Sequence, residues 1–145
     1  MFTVKHMLDQ KGHDVSTISP EAKVIDALKL MADKGVGALV VMYKDRVTGL
    51  FSERDYARKV VLHGKSSIDT PVKEIMTFQV YNVNSETPVE ECMALMTTKR
   101  VRHLPVVDKG KLVGLVSSGD VVKAIMSKQS NTLESLQNYI KGKYS

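Results

Sequence analysis

One cysteine, no tryptophan, four prolines, no long apolar run and no block of like charge mark this chain of 145 residues. Each shortage excludes something. A single thiol, Cys92, cannot close an internal disulfide, and its place in an apolar helical stripe reads as a small core residue rather than a nucleophile. No apolar stretch approaches the roughly 18 residues that span a bilayer, and the opening MFTVKHMLDQKGHD lacks the apolar segment of a signal peptide. The expected compartment is the cytoplasm, with no membrane partner. The four histidines share no metal-ligand spacing with cysteine or carboxylates, and neither a glycine-rich phosphate loop nor a nucleophile elbow is present. No enzyme is expected. The net charge of +5 suits anionic partners, yet the basic residues are scattered and aromatics make up only 6% of the chain. A nucleic-acid-binding regulator is therefore the weaker reading, and small anions the stronger.

What is present is a duplication. Residues 17–60 align with 82–125 at a constant offset of 65 and without a gap; 13 of the 44 positions are identical, among them Glu21/Glu86, Leu39/Leu104, Gly49/Gly114, Ser52/Ser117 and Asp55/Asp120. A gapless match requires every turn to keep its length, as a repeated structural unit does. Val24, Ala27, Leu28 and Met31 fall on one helical face, and Val89, Cys92, Met93 and Met96 repeat it. Thr87 and Pro88 predict the cap and first position of the second of these helices. Two apolar runs then follow in each copy, VGALVVM and VTGLF against VRHLPVV and LVGLV, predicting a strand pair joined by a hairpin. A further helix carries Tyr56 and Val60 in one copy, Val121 and Ile125 in the other. Pro105 stands opposite Val40 and should mark an edge or bulge in the second copy only.

One such unit can bury only a modest core, so the copies are expected to pack sheet to sheet about a pseudo-twofold axis. The fold class expected from this pattern is α/β (α+β). Residues 1–130 form the pair, with repeats at about 8–64 and 72–128, and a helical tail at 131–145 carries Leu133, Leu136 and Ile140 on one face. Four apolar helical faces exceed what one internal joint covers, which predicts a homodimer.

The phrases Gly49-Leu-Phe-Ser52-Glu-Arg-Asp55 and Gly114-Leu-Val-Ser117-Ser-Gly-Asp120, with LysGluIleMetThr at 73–77 and ArgHisLeuProVal at 102–106, resemble the CBS (cystathionine β-synthase) domain-pair family. The match is to its short, stand-alone bacterial type. The resemblance implies a β-α-β-β-α unit used twice, in a regulatory module holding AMP, ADP, ATP, NAD or S-adenosylmethionine between the repeats, dimerising and reporting energy or redox status to a separate, unknown effector. It implies ligand contacts from Ile18, Ala38, Leu39, Ser52, Arg54 and Asp55 in the first repeat. From the second it implies Val83, Arg100, Arg102, His103, Leu104, Pro105, Ser117 and Asp120.

The chemistry of these residues supports two readings. A carboxylate such as that of Asp55 or Asp120 can accept from both ribose hydroxyls, and the serine three residues earlier, with free N–H groups at the helix start, can face a phosphate. Gly49 and Gly114 would let the backbone approach the ligand. Ser-x-x-Asp at a helix start is equally a capping box, which duplication would copy as faithfully as a ligand contact. Strand alternation puts Arg102 and His103 on opposite faces unless the strand lies at a cleft edge. Gly37, Ala38 and Gly119 stand where the other copy has Arg102, His103 and Arg54, so the two clefts must differ. A structural dimerisation module without ligand remains the alternative.

Overall fold

A computed structural model describes residues 2–140, without the side chains of 130–136 and 138–140. The elements follow the duplicated pattern: α1 (Val4–Lys11), β1 (Thr17–Ile18), α2 (Val24–Lys34), β2 (Ala38–Tyr43), β3 (Arg46–Ser52) and α3 (Glu53–Asp55). After α3 comes a π-helical turn, Tyr56–Val61, and then a 3-10 turn, Val72–Glu74. The second copy supplies α4 (Val89–Lys99), β4 (His103–Asp108), β5 (Lys111–Ser117) and α5 (Ser118–Ile140). The expected helical tail runs on from α5 as far as Ile140; its apolar face, Leu133, Leu136 and Ile140, lies outside the described side chains. No helix among the described residues is long and apolar enough to cross a membrane.

Each hairpin turns on two residues with positive φ, Lys44 (48°) and Asp45 (63°) in one copy, Lys109 (51°) and Gly110 (78°) in the other. Positive φ at both central positions gives a primed turn, whose twist matches that of the strands it joins. Both hairpins shift register at the same place, between Val41 and Met42 and between Val106 and Val107. The bulge expected at Pro105 alone therefore occurs in both copies. The edge expected at Pro105 is found in the second copy only: β4 belongs to a two-stranded sheet, whereas β2 is the middle strand of three. Val40 donates its N–H to the Ser16 carbonyl, and β1 pairs with β2 at two positions; proline has no such N–H, and the second copy keeps only a bridge from Val83 to Val106.

The cores exchange segments. The first-repeat cluster of Val24, Ala27, Met31, Leu39, Val41 and Phe51 takes in Val72 and Ile75 from beyond the connection. The second-repeat cluster of Val89, Cys92, Met96, Leu104 and Val116 takes in Val4, Met7 and Leu8 from α1. Cys92 is a fully buried core residue, its thiol pushed up to about 11 by burial and by the neighbouring Glu91. β3 touches β5, its own counterpart, so the pseudo-twofold axis runs between them.

The α1 crossing also explains a capping difference. Thr87 does not cap α4; its hydroxyl accepts from the Asn84 N–H, and Pro88 is itself the residue before the helix. The N–H of Val89 donates to Phe2 and that of Val4 to Thr87, so a distant backbone satisfies what a side-chain cap would have.

Candidate nucleotide-binding cleft

At the joint lies an open cleft of about 530 Å³, lined from both repeats. The first contributes Ala38, Ser52, Arg54 and Asp55; the second contributes Arg100, Arg102 and His103. These two sets, separated by tens of positions along the chain, meet here through the packing of the two repeats.

Asp55, only 7% exposed, uses both carboxylate oxygens within the protein. One accepts from the Ser52 N–H (3.0 Å) and hydroxyl (3.1 Å), while the Asp55 N–H donates to the Ser52 hydroxyl (3.2 Å). This is the capping box. The other oxygen accepts from the Thr77 hydroxyl at 3.0 Å and meets the Lys59 ammonium at 3.0 Å. Thr77 is held in place by paired backbone bonds with Leu50, both 2.8 Å. The backbone donors expected to be free at the helix start are engaged: Glu53 donates to the Gly37 carbonyl, and Ser118 in the second copy to that of Arg102.

Asp120 has a different partner. It accepts from the Ser117 N–H (2.8 Å) and from Lys11 Nζ (2.7 Å), and Lys11 also donates to the Leu115 carbonyl (2.8 Å). Burial alone would raise the Asp120 carboxyl, but the hydrogen bonds from Lys11 and Ser117 and the lysine charge outweigh it and hold the group below the usual aspartate value. Neither Ser117 nor Asp120 lines the cleft.

Arg102 and His103 do line it together. Strict alternation does not apply because β4 begins at His103, and Arg102 sits in the bend before it. Burial, then the positive charge of Lys11, lowers the His103 pKa from the ordinary 6.5, with Asp120 pulling it back.

The remaining residues named from the sequence lie elsewhere. Leu39 and Leu104 are fully buried in the two cores, Val83 is a core residue, Ile18 packs against the first core, and Pro105 is buried within β4. Gly49 and Gly114 do not open the backbone to a ligand. A Cβ at Gly49 would lie 2.7 Å from Met76 Sδ and 3.0 Å from the Thr77 carbonyl, and one at Gly114 would lie 2.7 Å from a Leu8 methyl. They make room for the exchanged segments.

The cleft also includes residues not expected from the sequence, among them Arg58, Lys59, Thr77, Tyr81 and Lys99. Thr77 closes the phrase LysGluIleMetThr, which pointed to it without a role. Arg58 and Lys59 gave no signal, because only the π-helical turn brings them to the cleft; such turns are frequent at functional sites.

Two repeats of this topology with a cleft at their joint define a tandem-repeat module. The CBS domain family model matches residues 10–62 and 72–127, and the chain belongs to that family. It is 42% identical over 151 residues to the CBS domain-containing protein CBSX3, mitochondrial, of Arabidopsis thaliana, covering 98% of this chain and 73% of that one. The crystal structure of the CBS domain NE2398 superposes with a TM-score of 0.82 at 50% identity, covering 86% of this chain and 98% of the other. The CBS domain protein PAE2072 from Pyrobaculum aerophilum, solved as a complex with AMP, superposes with a TM-score of 0.73 at 25% identity, covering 82% and 89%.

Proposed function

We propose that this chain is a non-catalytic, cytoplasmic regulatory module that binds an adenine nucleotide, AMP, ADP, ATP or NAD, between its two repeats. The observation that carries the reading is the meeting of Asp55 from one repeat with Arg100, Arg102 and His103 from the other in a single cleft. A carboxylate near a cationic wall matches a nucleotide, whose ribose offers two donors and whose phosphates need positive charge. Asp55 would exchange Lys59 and Thr77 for the ribose hydroxyls, leaving the lysine to follow the phosphates. The AMP held by the Pyrobaculum relative supports the ligand class. Asp120, already tied to Lys11, would stay structural, so one nucleotide per chain is expected.

Exposed apolar side chains on α4 and α5, Met93, Val122 and Met126, support a second copy of this chain as partner. Titration calorimetry and melting curves against AMP, ADP, ATP, NAD and S-adenosylmethionine test the whole reading. A ligand at 100 times its dissociation constant adds about 2.7 kcal/mol to the folded state. If no compound binds or shifts the melt at millimolar concentration, the sensing function is wrong. The capping geometry of both aspartates favours the alternative, a ligand-free dimerisation module, which that outcome would leave in place.

A further inference from the structure

The cleft holds more positive charge than a monophosphate can use. Six basic side chains line it, at Arg54, Arg58, Lys59, Lys99, Arg100 and Arg102, against two acidic ones. Without a ligand, Lys59 is paired with Asp55, and Lys99 lies 5.5 Å from the ring centre of Tyr81. The four arginine side chains have no ion-pair or hydrogen-bond partner among the described residues. Like charges gathered at a concave surface repel one another and raise the local potential, and a bound polyanion relieves both.

The sister repeat supplies the control. At the offset of 65, Arg54, Lys59, Arg100 and Arg102 correspond to Gly119, Ala124, Gly35 and Gly37, so the fold itself requires no cation at these places. Arg100 is even costly there. It ends α4 in the left-handed region at φ 56°, a conformation that Gly35 adopts freely at the end of α2. A strained arginine where the duplicate has glycine, at the rim of a cleft, points to a function for its side chain.

We infer that this cleft selects a polyanion with three or more negative charges, a nucleoside di- or triphosphate, over a monophosphate and over the cationic S-adenosylmethionine. The inference rests on the nucleotide reading of the same cleft. A monophosphate carries at most two charges and can engage about two of the four free guanidinium groups; a triphosphate can engage all four. Arg58 and Arg100 are assigned as the specificity-determining residues, the guanidinium groups beyond the two that a first phosphate engages.

The test is calorimetry on the full chain with adenosine, AMP, ADP, ATP and inorganic tripolyphosphate, in magnesium-free buffer at about 50 and 300 mM salt. ATP is expected to bind at least about tenfold more tightly than AMP, with ADP between them and the gap narrowing at high salt. Arg58→Gln and Arg100→Gly are each expected to weaken ATP about tenfold and AMP by less than about threefold. Both variants should melt no lower than the parent, which separates lost contact from lost fold. Equal binding of AMP and ATP, or equal losses for both in the variants, overturns the inference while the nucleotide function stands. Tripolyphosphate binding with no nucleotide binding overturns the nucleotide function and, with it, the inference of nucleoside polyphosphate selection. If tripolyphosphate and nucleotides alike fail to bind, both are wrong.

Discussion

Arg100 and Gly35 occupy the same place at the ends of duplicated helices and share a left-handed backbone, φ 56° for the arginine and 64° for the glycine. Only the glycine is at ease there. The left-handed region costs a residue with a Cβ about 1–2 kcal/mol, whereas glycine pays mainly through the greater freedom of its unfolded chain. Arg100→Gly is therefore expected to stabilise the protein by on the order of 0.5–1 kcal/mol. Urea denaturation of the variant beside the parent checks it, and a loss of stability would show that the arginine side chain contributes packing that outweighs its backbone strain.

The two aspartates should part company on substitution. Asp55→Asn keeps an acceptor for the Ser52 N–H but weakens the contacts to Lys59 and Thr77, at a cost of about 1 kcal/mol, given that Lys59 is 43% exposed. Asp120→Asn loses the Lys11 pair, also partly exposed, and should cost less than about 1 kcal/mol. In nucleotide titrations, Asp55→Asn is expected to lose about tenfold to a hundredfold in affinity and Asp120→Asn almost nothing. Equal binding by both variants and the parent would reduce both residues to caps.

His103 makes stability and binding depend on pH in opposite directions. Its folded pKa lies below the unfolded 6.5, so below about pH 6.5 the unfolded chain binds more protons than the folded one. Its contribution to stability is present above that pH and is lost as pH falls toward the folded pKa. A phosphate in the cleft would favour the protonated ring, so nucleotide affinity should rise from pH 8 to pH 6. Comparison with His103→Gln removes the part due to titration of the phosphate itself. Parallel pH profiles for parent and variant, in urea melts and in titrations, would exclude the histidine from both effects.

Gly49→Ala should be worse than Gly114→Ala. The added methyl at Gly49 meets Met76 and the backbone carbonyl of Thr77, a residue held by two backbone hydrogen bonds to Leu50, whereas at Gly114 it meets the end of the Leu8 side chain, which can turn aside. About 1–3 kcal/mol is expected for the first and less for the second. Because Thr77 anchors Asp55, Gly49→Ala should also weaken nucleotide binding; thermal melts and titrations of both variants decide the order.

The duplication, its strand pairs and its helical faces were legible because they depend on local periodicity and on spacing preserved without gaps. Ser52 and Asp55 were legible as a pair for the same reason. Met93 shows the limit: it lies on the same helical stripe as buried Cys92 and Met96, yet it is 44% exposed, because nothing described here covers that edge of α4. Pattern states which side chains want cover, not which receive it.

From the sequence alone came the two-copy architecture, the capping boxes and the chemical inequality of the copies, since each follows from residue type and short-range spacing. Tertiary structure decided the rest. It carried α1 into the second core and residues 72–75 into the first, which put Lys11 on Asp120 and Thr77 on Asp55. It also brought Arg58 to the same wall as Arg102, 44 positions along the chain. These pairings depend on how two apolar surfaces bury one another, and hydrophobic burial is non-directional, so no local signal in the chain announces them.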